Sequence, residues 1–224
     1  MDAAIQWNFA KFEDFAGAMI EAATKHSKDN EWWKTIDNVV KARSKEWWWT
    51  AYESAYLAVV RLKQGNTVEA MFHSFRAVEG LLRKWADETH PPKEGQNPKQ
   101  IQILCDGRIK TFNRYGKAPY NCLDKHYHNK HNRNIDFIQN EDIWKFGNVT
   151  FDKRNNLFHQ LLGMQEVQVF EDWDTHPQNQ EAWEARVLGC LNFISGESFT
   201  PPLEEASLMF KVHQELEKAI ASYL

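Results

Sequence analysis

Apolar residues recur at spacings of three and four along much of the chain, which is the pattern of an amphipathic helix. Residues 3–24 carry the first such pattern, and residues 31–42 carry a second, shorter one. A third helix is predicted to begin after Ser44, because a serine hydroxyl suits the N-cap position, and a fourth covers residues 68–87. Only residues 64–66 separate the last two helices, and a connection this short predicts an antiparallel hairpin.

The fourth helix shows which side chains are expected to face the core. Its apolar stripe consists of Val68, Phe72, Phe75, Leu82 and Trp85. His73 falls off this stripe and is predicted to face solvent. Glu79, by contrast, lies within the stripe, about 20° around the helix from Val68. A carboxylate at such a position needs a partner when it is buried.

Beyond the hairpin the helical pattern stops and then returns. Residues 90–140 are rich in Asn, Lys and His and lack sustained periodicity, so they are predicted to form a long irregular surface insertion with short helical pieces. Helical periodicity resumes over residues 148–164, and residues 165–170 fit either a short strand or a continuation of that helix. Two further helices are predicted at residues 180–193 and 202–223.

Composition favours an all-α fold. The 224 residues include only 10 Gly and 7 Pro, too few for a chain built on tight β-turns, whereas 13% of them are aromatic and predict a core of large flat side chains. A chain of this length supports a sizeable core without disulfides or metals. We therefore expect one helical domain over residues 1–224, an antiparallel bundle that carries the insertion at residues 90–140.

Charge and cysteine content narrow the classes of function and the location. The formal net charge is −4, which disfavours a protein that binds duplex DNA through a broad basic surface. Three widely spaced cysteines without a CxxC pair disfavour a disulfide scaffold or a zinc ribbon. The N-terminus lacks the features of a signal peptide, and no stretch approaches the ~20 apolar residues of a membrane span. The expectation is a cytoplasmic protein with no membrane partner.

The segment of residues 152–160 carries the most specific chemistry in the sequence. On a helix, Arg154 falls in the middle of an apolar stripe, whereas Asn155 and His159, four residues apart, lie together at the edge of that stripe. A guanidinium that faces a core requires a partner. Because Glu79 is also placed within an apolar stripe, we hypothesise that Glu79 and Arg154 form a buried ion pair that holds Arg154 in position.

This segment resembles the motif of the HEPN-domain ribonucleases. Their R-x(4–6)-H motif, in which a polar residue follows the arginine, matches residues 154–159 (RNNLFH). The aromatic-rich segment 69–82, with Arg76 and Glu79, is similar to the helix that precedes the motif in many members. The resemblance covers residues 44–164 and is closest to the HEPN half of CRISPR type III accessory ribonucleases. It implies a HEPN-like antiparallel helical bundle.

The resemblance also implies a metal-independent endoribonuclease that needs no cofactor and cleaves single-stranded RNA. The 2′-hydroxyl of the substrate attacks the adjacent phosphate and leaves a 2′,3′-cyclic phosphate, so cleavage is expected to continue in EDTA. His159 would act as general acid or base near neutral pH, Arg154 would stabilise the charge that develops on the phosphate, and Asn155 would bind the phosphate or orient the imidazole.

Two partners follow from the same resemblance. Arg154 and His159 diverge by about 140° around one helix, so a single copy forms a poor cleft, and two copies are expected to pool these side chains in a homodimer. The CRISPR ribonucleases usually join the HEPN part to an N-terminal CARF domain that senses cyclic oligoadenylate. No such α/β pattern precedes the motif here, so we expect either a stand-alone HEPN protein or the C-terminal part of a longer one.

The insertion offers a candidate RNA-binding surface, because its cations are interleaved with aromatic residues. The four cations that we assign to RNA binding are Lys110, Arg114, Lys130 and Arg133. Cations that follow phosphates and rings that stack on bases suit single-stranded RNA. An ordinary solvated loop accounts for the same composition equally well.

Two other clusters contain residue types that bind divalent metals. They are His126, His128 and His131 in the insertion, and Glu171, Asp172 and Asp174 after the motif. Neither is accompanied by a second set of ligands at metal spacing, so we interpret both as ordinary polar loops.

Two other classes of function stay open. One is a non-catalytic HEPN-like module that binds RNA, a nucleotide or another protein, as in a toxin–antitoxin pair. The other is a helical structural subunit of a CRISPR or defence complex. Cleavage of single-stranded RNA in EDTA, lost in Arg154→Ala and His159→Ala variants, separates the enzyme from both.

Overall fold

The computed structural model describes residues 31–89, 91–92, 94–105, 108–113, 140–153 and 163–221. Over these residues the chain is mostly helical with a two-stranded sheet, which agrees with the predicted all-α class. The helices are α1 (Glu31–Arg43), α2 (Trp49–Lys63), α3 (Thr67–Thr89), α4 (Glu141–Lys145), α5 (Glu166–Asp172), α6 (Gln180–Ser195) and α7 (Leu208–Ala221). A π-helical turn spans Phe146–Thr150, a 3-10 turn spans Leu203–Ala206, and the strands are β1 (Gln100–Cys105) and β2 (Arg108–Asn113). The helix predicted at residues 3–24 lies outside the described residues.

Helices α2 and α3 form the predicted antiparallel hairpin. Gly65 makes the turn with a φ of +73°, and its N–H donates to the carbonyl of Leu62. Helix α2 begins at Trp49 rather than after Ser44, so the predicted N-cap is wrong. The reason is that the N–H of Ser44 donates to the carbonyl of Val40 and so belongs to the last turn of α1.

The buried face of α3 differs from the predicted stripe at two positions. Phe72 is 40% exposed, whereas His73, predicted to face solvent, is buried. Ala70 and Ala77 are buried on the same side of the helix as His73, and small side chains let two helices approach closely. The hydroxyl of Ser54 on α2 donates to the carbonyl of His73 at 3.2 Å. Packing against α2 therefore turns the buried face towards His73.

Two strands replace part of the irregular insertion, so that prediction is wrong for residues 100–105 and 108–113. The strands pair antiparallel, with Ile101 directly opposite Phe112. Ile101 is buried and Phe112 packs against the core, whereas the other side chains of β2 are exposed. The end of the hairpin that carries this pair is therefore fixed on the helices. Residues 114–139 of the insertion lie outside the described residues.

The chain returns to helix earlier than the predicted residues 148–164. Helix α4 is capped by the side chain of Asn140, which accepts from the N–H of Ile143 at 3.0 Å. The π-helical turn follows at once, and residues 151–153 continue as helix. Residues 163–165 are not helical, and α5 shows that the segment that follows them forms a helix rather than a strand.

The last helix begins later than predicted. Helix α6 ends at Gly196, which has a φ of 86°. Residues 196–207, which we call the C-terminal strap, contain only the 3-10 turn and lead to α7. Ser207 caps α7, since its hydroxyl accepts from the N–H of Phe210 at 3.1 Å. Helix α7 then packs on α1.

Candidate functional site

Most of the predicted site residues lie outside the described residues. These are Arg154, Asn155, His159, Arg114, Lys130 and Arg133. The histidine cluster at residues 126–131 lies outside them as well. The structure does describe both flanks of the motif, together with Glu79 and Lys110.

The residues before the motif are held by an aromatic cluster, which consists of Phe75, Phe146, Phe151 and Trp173. The ring centroid of Phe75 lies 4.9 Å from that of Phe146 and 5.6 Å from that of Phe151. Trp173 lies 5.3 Å from Phe146, and its indole N–H donates to the hydroxyl of Ser74 at 3.1 Å. Phe151 precedes Arg154 by three residues. The ring that packs against α3 therefore lies close to the start of the motif.

The π-helical turn explains how two rings of this cluster meet the same partner. Phe146 and Phe151 are five residues apart and would diverge by about 140° on an α-helix. The N–H of Phe151 donates to the carbonyl of Phe146, which is the wider spacing of a π-helix. Both rings therefore face Phe75. Apolar periodicity does not reveal such a turn, so the sequence does not predict it.

Hydrogen bonds secure the two flanks as well. The ammonium of Lys153, next to Arg154, donates to the carbonyl of Glu171 at 2.7 Å and lies 3.5 Å from the carboxylate of Asp172. After the motif, the carbonyl of Met164 accepts from the hydroxyl of Thr67 at 2.5 Å. Lys153 is given no role from the sequence alone. The acidic residues that follow the motif are the sequence feature that could have indicated its partners.

Glu79 is largely withdrawn from solvent, as its place in the apolar stripe predicts. Its side chain is 16% exposed, and its carboxylate lies 3.4 Å from the guanidinium of Arg83. Glu79 lies one helical turn from Phe75, the residue on which Phe151 packs. Because Arg154 lies outside the described residues, the Glu79–Arg154 ion pair stays a prediction.

An aromatic ring and two cations accompany Glu79 on one side of α3. Phe72, Arg76 and Arg83 are exposed, and with Glu79 they fall within about 60° around the helix axis. The stripe lies next to Phe75 and hence next to the flank of the motif. Its chemistry suits a flexible polyanion with stacking rings, such as single-stranded RNA.

Lys110 is exposed on β2. Arg108 is two residues away and therefore on the same face of the strand, and it is exposed too. Ile109, on the opposite face, is 72% exposed. The hairpin thus presents two cations on one face.

The acidic residues after the motif face lysines. Asp172 lies near Lys153, and Asp174 pairs with Lys145, whose ammonium also lies 3.0 Å from Glu141. The hydrogen bond from Lys145 lowers the pKa of Asp174. Within the parts of the chain that the structure describes, no group of three or more His, Cys, Asp or Glu is placed to hold a metal ion.

His73 is a buried titratable group that the sequence analysis placed in solvent. Burial, helped by the charges of Arg76 and Arg61, lowers the pKa of His73 to about 3. The imidazole is therefore neutral at physiological pH. It contributes no positive charge to the exposed stripe beside it.

No protein-family model, curated protein or solved structure matches this chain. Among the helices described here, none combines the length and the apolar character that crossing a bilayer requires. The resemblance to HEPN ribonucleases accordingly rests on the motif and the helix that precedes it in the sequence.

Proposed function

We propose that this protein is a metal-independent endoribonuclease of the HEPN type, with Arg154, Asn155 and His159 as its active residues. The observation that carries the proposal is the spacing of these residues within residues 154–159. The packing of Phe151 on α3 supports it, because it attaches the residues just before the motif to the helical bundle. The resemblance suggests a role in CRISPR or antiviral defence in the cytoplasm.

The proposed reaction uses a nucleophile that the substrate itself carries. His159 removes the proton of the 2′-hydroxyl or gives a proton to the leaving 5′-oxygen, and Arg154 donates hydrogen bonds to the phosphate as negative charge develops. Asn155 binds the phosphate or orients the imidazole. The products end in a 2′,3′-cyclic phosphate, and no metal ion takes part.

The proposed path of the RNA runs over two described surfaces. The exposed stripe of α3 supplies Phe72 for base stacking and Arg76 for a phosphate. The β-hairpin supplies Lys110, and the other predicted contacts, Arg114, Lys130 and Arg133, follow it in the insertion. Cations concentrated in one path reconcile RNA binding with a net charge of −4.

The active form in this proposal is a homodimer. Two motif helices related by a twofold axis bring two Arg154 and two His159 side chains to one seam, which completes a cleft that one helix leaves open. Light scattering measures the mass of the protein in solution, and activity that persists in a strict monomer would count against this part of the proposal. A CARF domain, outside the residues of this chain, would supply regulation by cyclic oligoadenylate.

The decisive experiment is cleavage of single-stranded RNA in EDTA. The wild-type protein is expected to release products with 2′,3′-cyclic phosphate ends, and His159→Ala and Arg154→Ala are expected to lose at least roughly 100-fold in rate. His213→Ala is the matched control, because His213 is an exposed helical histidine whose imidazole pairs with Glu217. Cleavage that survives in both motif variants identifies a contaminating nuclease. A dimer that binds RNA without cleaving it supports the non-catalytic module instead.

A second experiment tests the positioning of Arg154. The flanks of the motif contact α3 at Phe75 and Thr67, and Glu79 lies one turn beyond Phe75, so the proposed pair requires Arg154 to extend towards Glu79. Glu79→Gln should lower the rate about 10-fold and change RNA affinity little. Glu69→Gln, a glutamate of the same helix that pairs with Arg61, should leave both unchanged. Normal cleavage by Glu79→Gln removes the pair from the proposal.

A further inference from the structure

The side chain of Lys153 joins the start of the motif to the end of α5. Its ammonium donates to the carbonyl of Glu171 at 2.7 Å and lies 3.5 Å from the carboxylate of Asp172. The last carbonyl groups of a helix lack donors from the helix itself, and lysine side chains near that end supply them. The carbonyl oxygen of Glu171 also accepts from the N–H of Asp174 at 3.0 Å, and its two lone pairs serve both donors. The contact links two segments that lie 18 positions apart in the sequence.

The end of α5 is itself anchored in the helical bundle. Phe170 is buried, and its ring centroid lies 6.3 Å from that of Trp183 on α6. Trp173, which follows α5 directly, is buried too and donates to the hydroxyl of Ser74 on α3. Asp172, with a side chain that is 18% exposed, stands between these two aromatic residues in the sequence. An ammonium bound here is therefore attached, through α5, to both α3 and α6.

Lys153 and Phe151 attach the same helical turn from opposite sides. Residues 151–153 are helical, and positions two apart on an α-helix diverge by about 200°. The ring centroid of Phe151 lies 5.6 Å from that of Phe75 on α3. Ring packing depends little on direction, whereas a hydrogen bond requires its donor and acceptor to be aligned. The ring contact thus holds the turn against α3, and the contact of Lys153 fixes its rotation about the helix axis.

We propose that Lys153 is a positioning residue, which sets the rotation of the motif helix and thereby the placement of Arg154 and His159. The proposal rests on the proposed function, since those two residues are its active groups. Arg154 follows Lys153 directly, and on the helix that the sequence predicts it lies about 100° around and ~1.5 Å along the axis from it. A displacement of about 1 Å in a reacting group costs up to roughly 100-fold in rate. Lys153 itself touches neither the substrate nor the reacting atoms.

The alternative role for a lysine beside the motif is to bind a phosphate of the RNA. The ammonium of Lys153 already has a carbonyl and a carboxylate as acceptors. Burial raises the pKa of Asp172, and Lys153 acts against that shift because its charge stabilises the ionised carboxylate. A phosphate would have to compete with both acceptors for the same ammonium. The contacts therefore favour attachment of the motif over binding of RNA.

Steady-state cleavage of single-stranded RNA in EDTA by the full chain separates these two roles. Lys153→Met keeps the apolar stem and removes the charge, and we expect kcat to fall roughly 10-fold while KM stays within about twofold of the wild type. Lys153→Arg restores a cation that donates to both acceptors and should recover kcat to within about threefold. The pH dependence of kcat should keep its shape in both variants, because His159 still supplies the titrating group.

Lys63→Met is the matched control, because Lys63 is also a partly exposed lysine in a tertiary ion pair. Its ammonium lies 2.6 Å from the carboxylate of Glu204, a pair that joins α2 to the C-terminal strap rather than to the flanks of the motif. Both kcat and KM should match those of the wild type. A wild-type kcat in Lys153→Met overturns the proposal. A rise in KM at constant kcat overturns it as well, and would identify Lys153 as a contact of the RNA.

Hydrogen exchange without RNA keeps this test separate from that of the proposed function. Exchange of residues 146–153 should become roughly fivefold faster in Lys153→Met, because a hydrogen bond from a charged donor is lost, whereas α2 should exchange as in the wild type. A wild-type protein that does not cleave RNA removes the proposed function, and faster exchange in Lys153→Met then still supports the attachment by Lys153. Unchanged exchange of residues 146–153 in Lys153→Met overturns the proposal, whatever the activity.

Discussion

The aromatic cluster packs on α3, whereas the C-terminal strap combines hydrogen bonds to α6 with ring contacts of Phe199 to Trp48 and Tyr52. The aromatic cluster packs rings of the pre-motif turn and of Trp173 against Phe75. The strap and the start of α7 are held by hydrogen bonds to Asn192, Glu184 and Glu53. Ring packing depends on buried area and little on direction, whereas each hydrogen bond requires one donor and one acceptor in place.

The two regions also differ in how they respond to pH. His73 lies in α3 near Phe75, and burial lowers its pKa to about 3, so protonation opposes the fold there. Burial raises the pKa of Glu53 to about 7, against the effect of its hydrogen bonds and of Arg43. Acid therefore weakens the hairpin region. Both groups are buried, and the direction of each pKa shift is set by which protonation state of the group carries the charge.

The largest expected effect is on the aromatic cluster. Trp173→Ala removes a fully buried ring and the donor to Ser74, and it should lower the free energy of unfolding by about 3–5 kcal/mol. Urea denaturation measures this change. Trp144→Ala is the control, since that side chain is 42% exposed, and it should cost less than about 1 kcal/mol. Similar losses in the two variants would show that the cluster is not a main source of stability.

The sequence predicts the helical hairpin correctly because the information for it is local. Gly65 and the short connection specify the turn, and the spacing of apolar residues specifies both helices. The face of α3 is predicted less well: the packing of α2 decides whether Phe72 or His73 is buried, and that contact is tertiary. The strands Gln100–Cys105 and Arg108–Asn113 were missed because, among the side chains that the structure describes there, those of Ile101 and Phe112 alone lie against the core.

The proposed motif is visible in the sequence because its residues fall within six consecutive positions, 154–159. The features that hold its surroundings could not be read in this way. Ser207 and Glu53 are 154 positions apart, and nothing in the local pattern of α2 marks Glu53 as a buried acceptor. The π-helical turn likewise depends on rings that meet Phe75 from another part of the chain.

The next largest change in the free energy of unfolding is expected for the contacts of the C-terminal strap. Asn192→Ala leaves the N–H and carbonyl of Phe199 without their partner and removes the acceptor of the Tyr52 hydroxyl, 2.8 Å away. We expect a loss of about 2 kcal/mol in the free energy of unfolding by urea, because buried polar groups lose hydrogen bonds. Asn38→Ala, an exposed helical position, should change it by less than about 0.5 kcal/mol. A neutral Asn192→Ala would mean that water or a rearranged side chain replaces these contacts.

The contrast in pH response predicts a smaller, graded effect at His73. The folded state opposes protonation of His73, so this residue contributes stability above pH 6.5, and that stability is lost as the pH falls towards 3. Between pH 6 and pH 4, His73→Gln should lose about 1 kcal/mol less per pH unit than the wild type does. Urea denaturation at several pH values measures both slopes. His213→Gln, at an exposed site, should keep the wild-type slope, and parallel slopes for His73→Gln contradict the prediction.

The smallest effect is expected at the contact between α4, which precedes the π-helical turn of the aromatic cluster, and α6, which precedes the C-terminal strap. The carboxylate of Asp142 on α4 lies 2.7 Å from the guanidinium of Arg186 on α6, and a Cβ built at Gly189 would lie 1.9 Å from its Oδ2. Gly189→Ala must therefore displace Asp142 from Arg186, which we expect to cost about 1 kcal/mol after the gain in helix propensity. In an Asp142→Ala background the carboxylate is gone and the Cβ of residue 142 remains 3.2 Å away, so the same substitution should change the free energy of unfolding by less than about 0.5 kcal/mol. Urea denaturation of the four proteins measures the coupling. An equal effect of Gly189→Ala in both backgrounds would show that this close approach does not join the two regions.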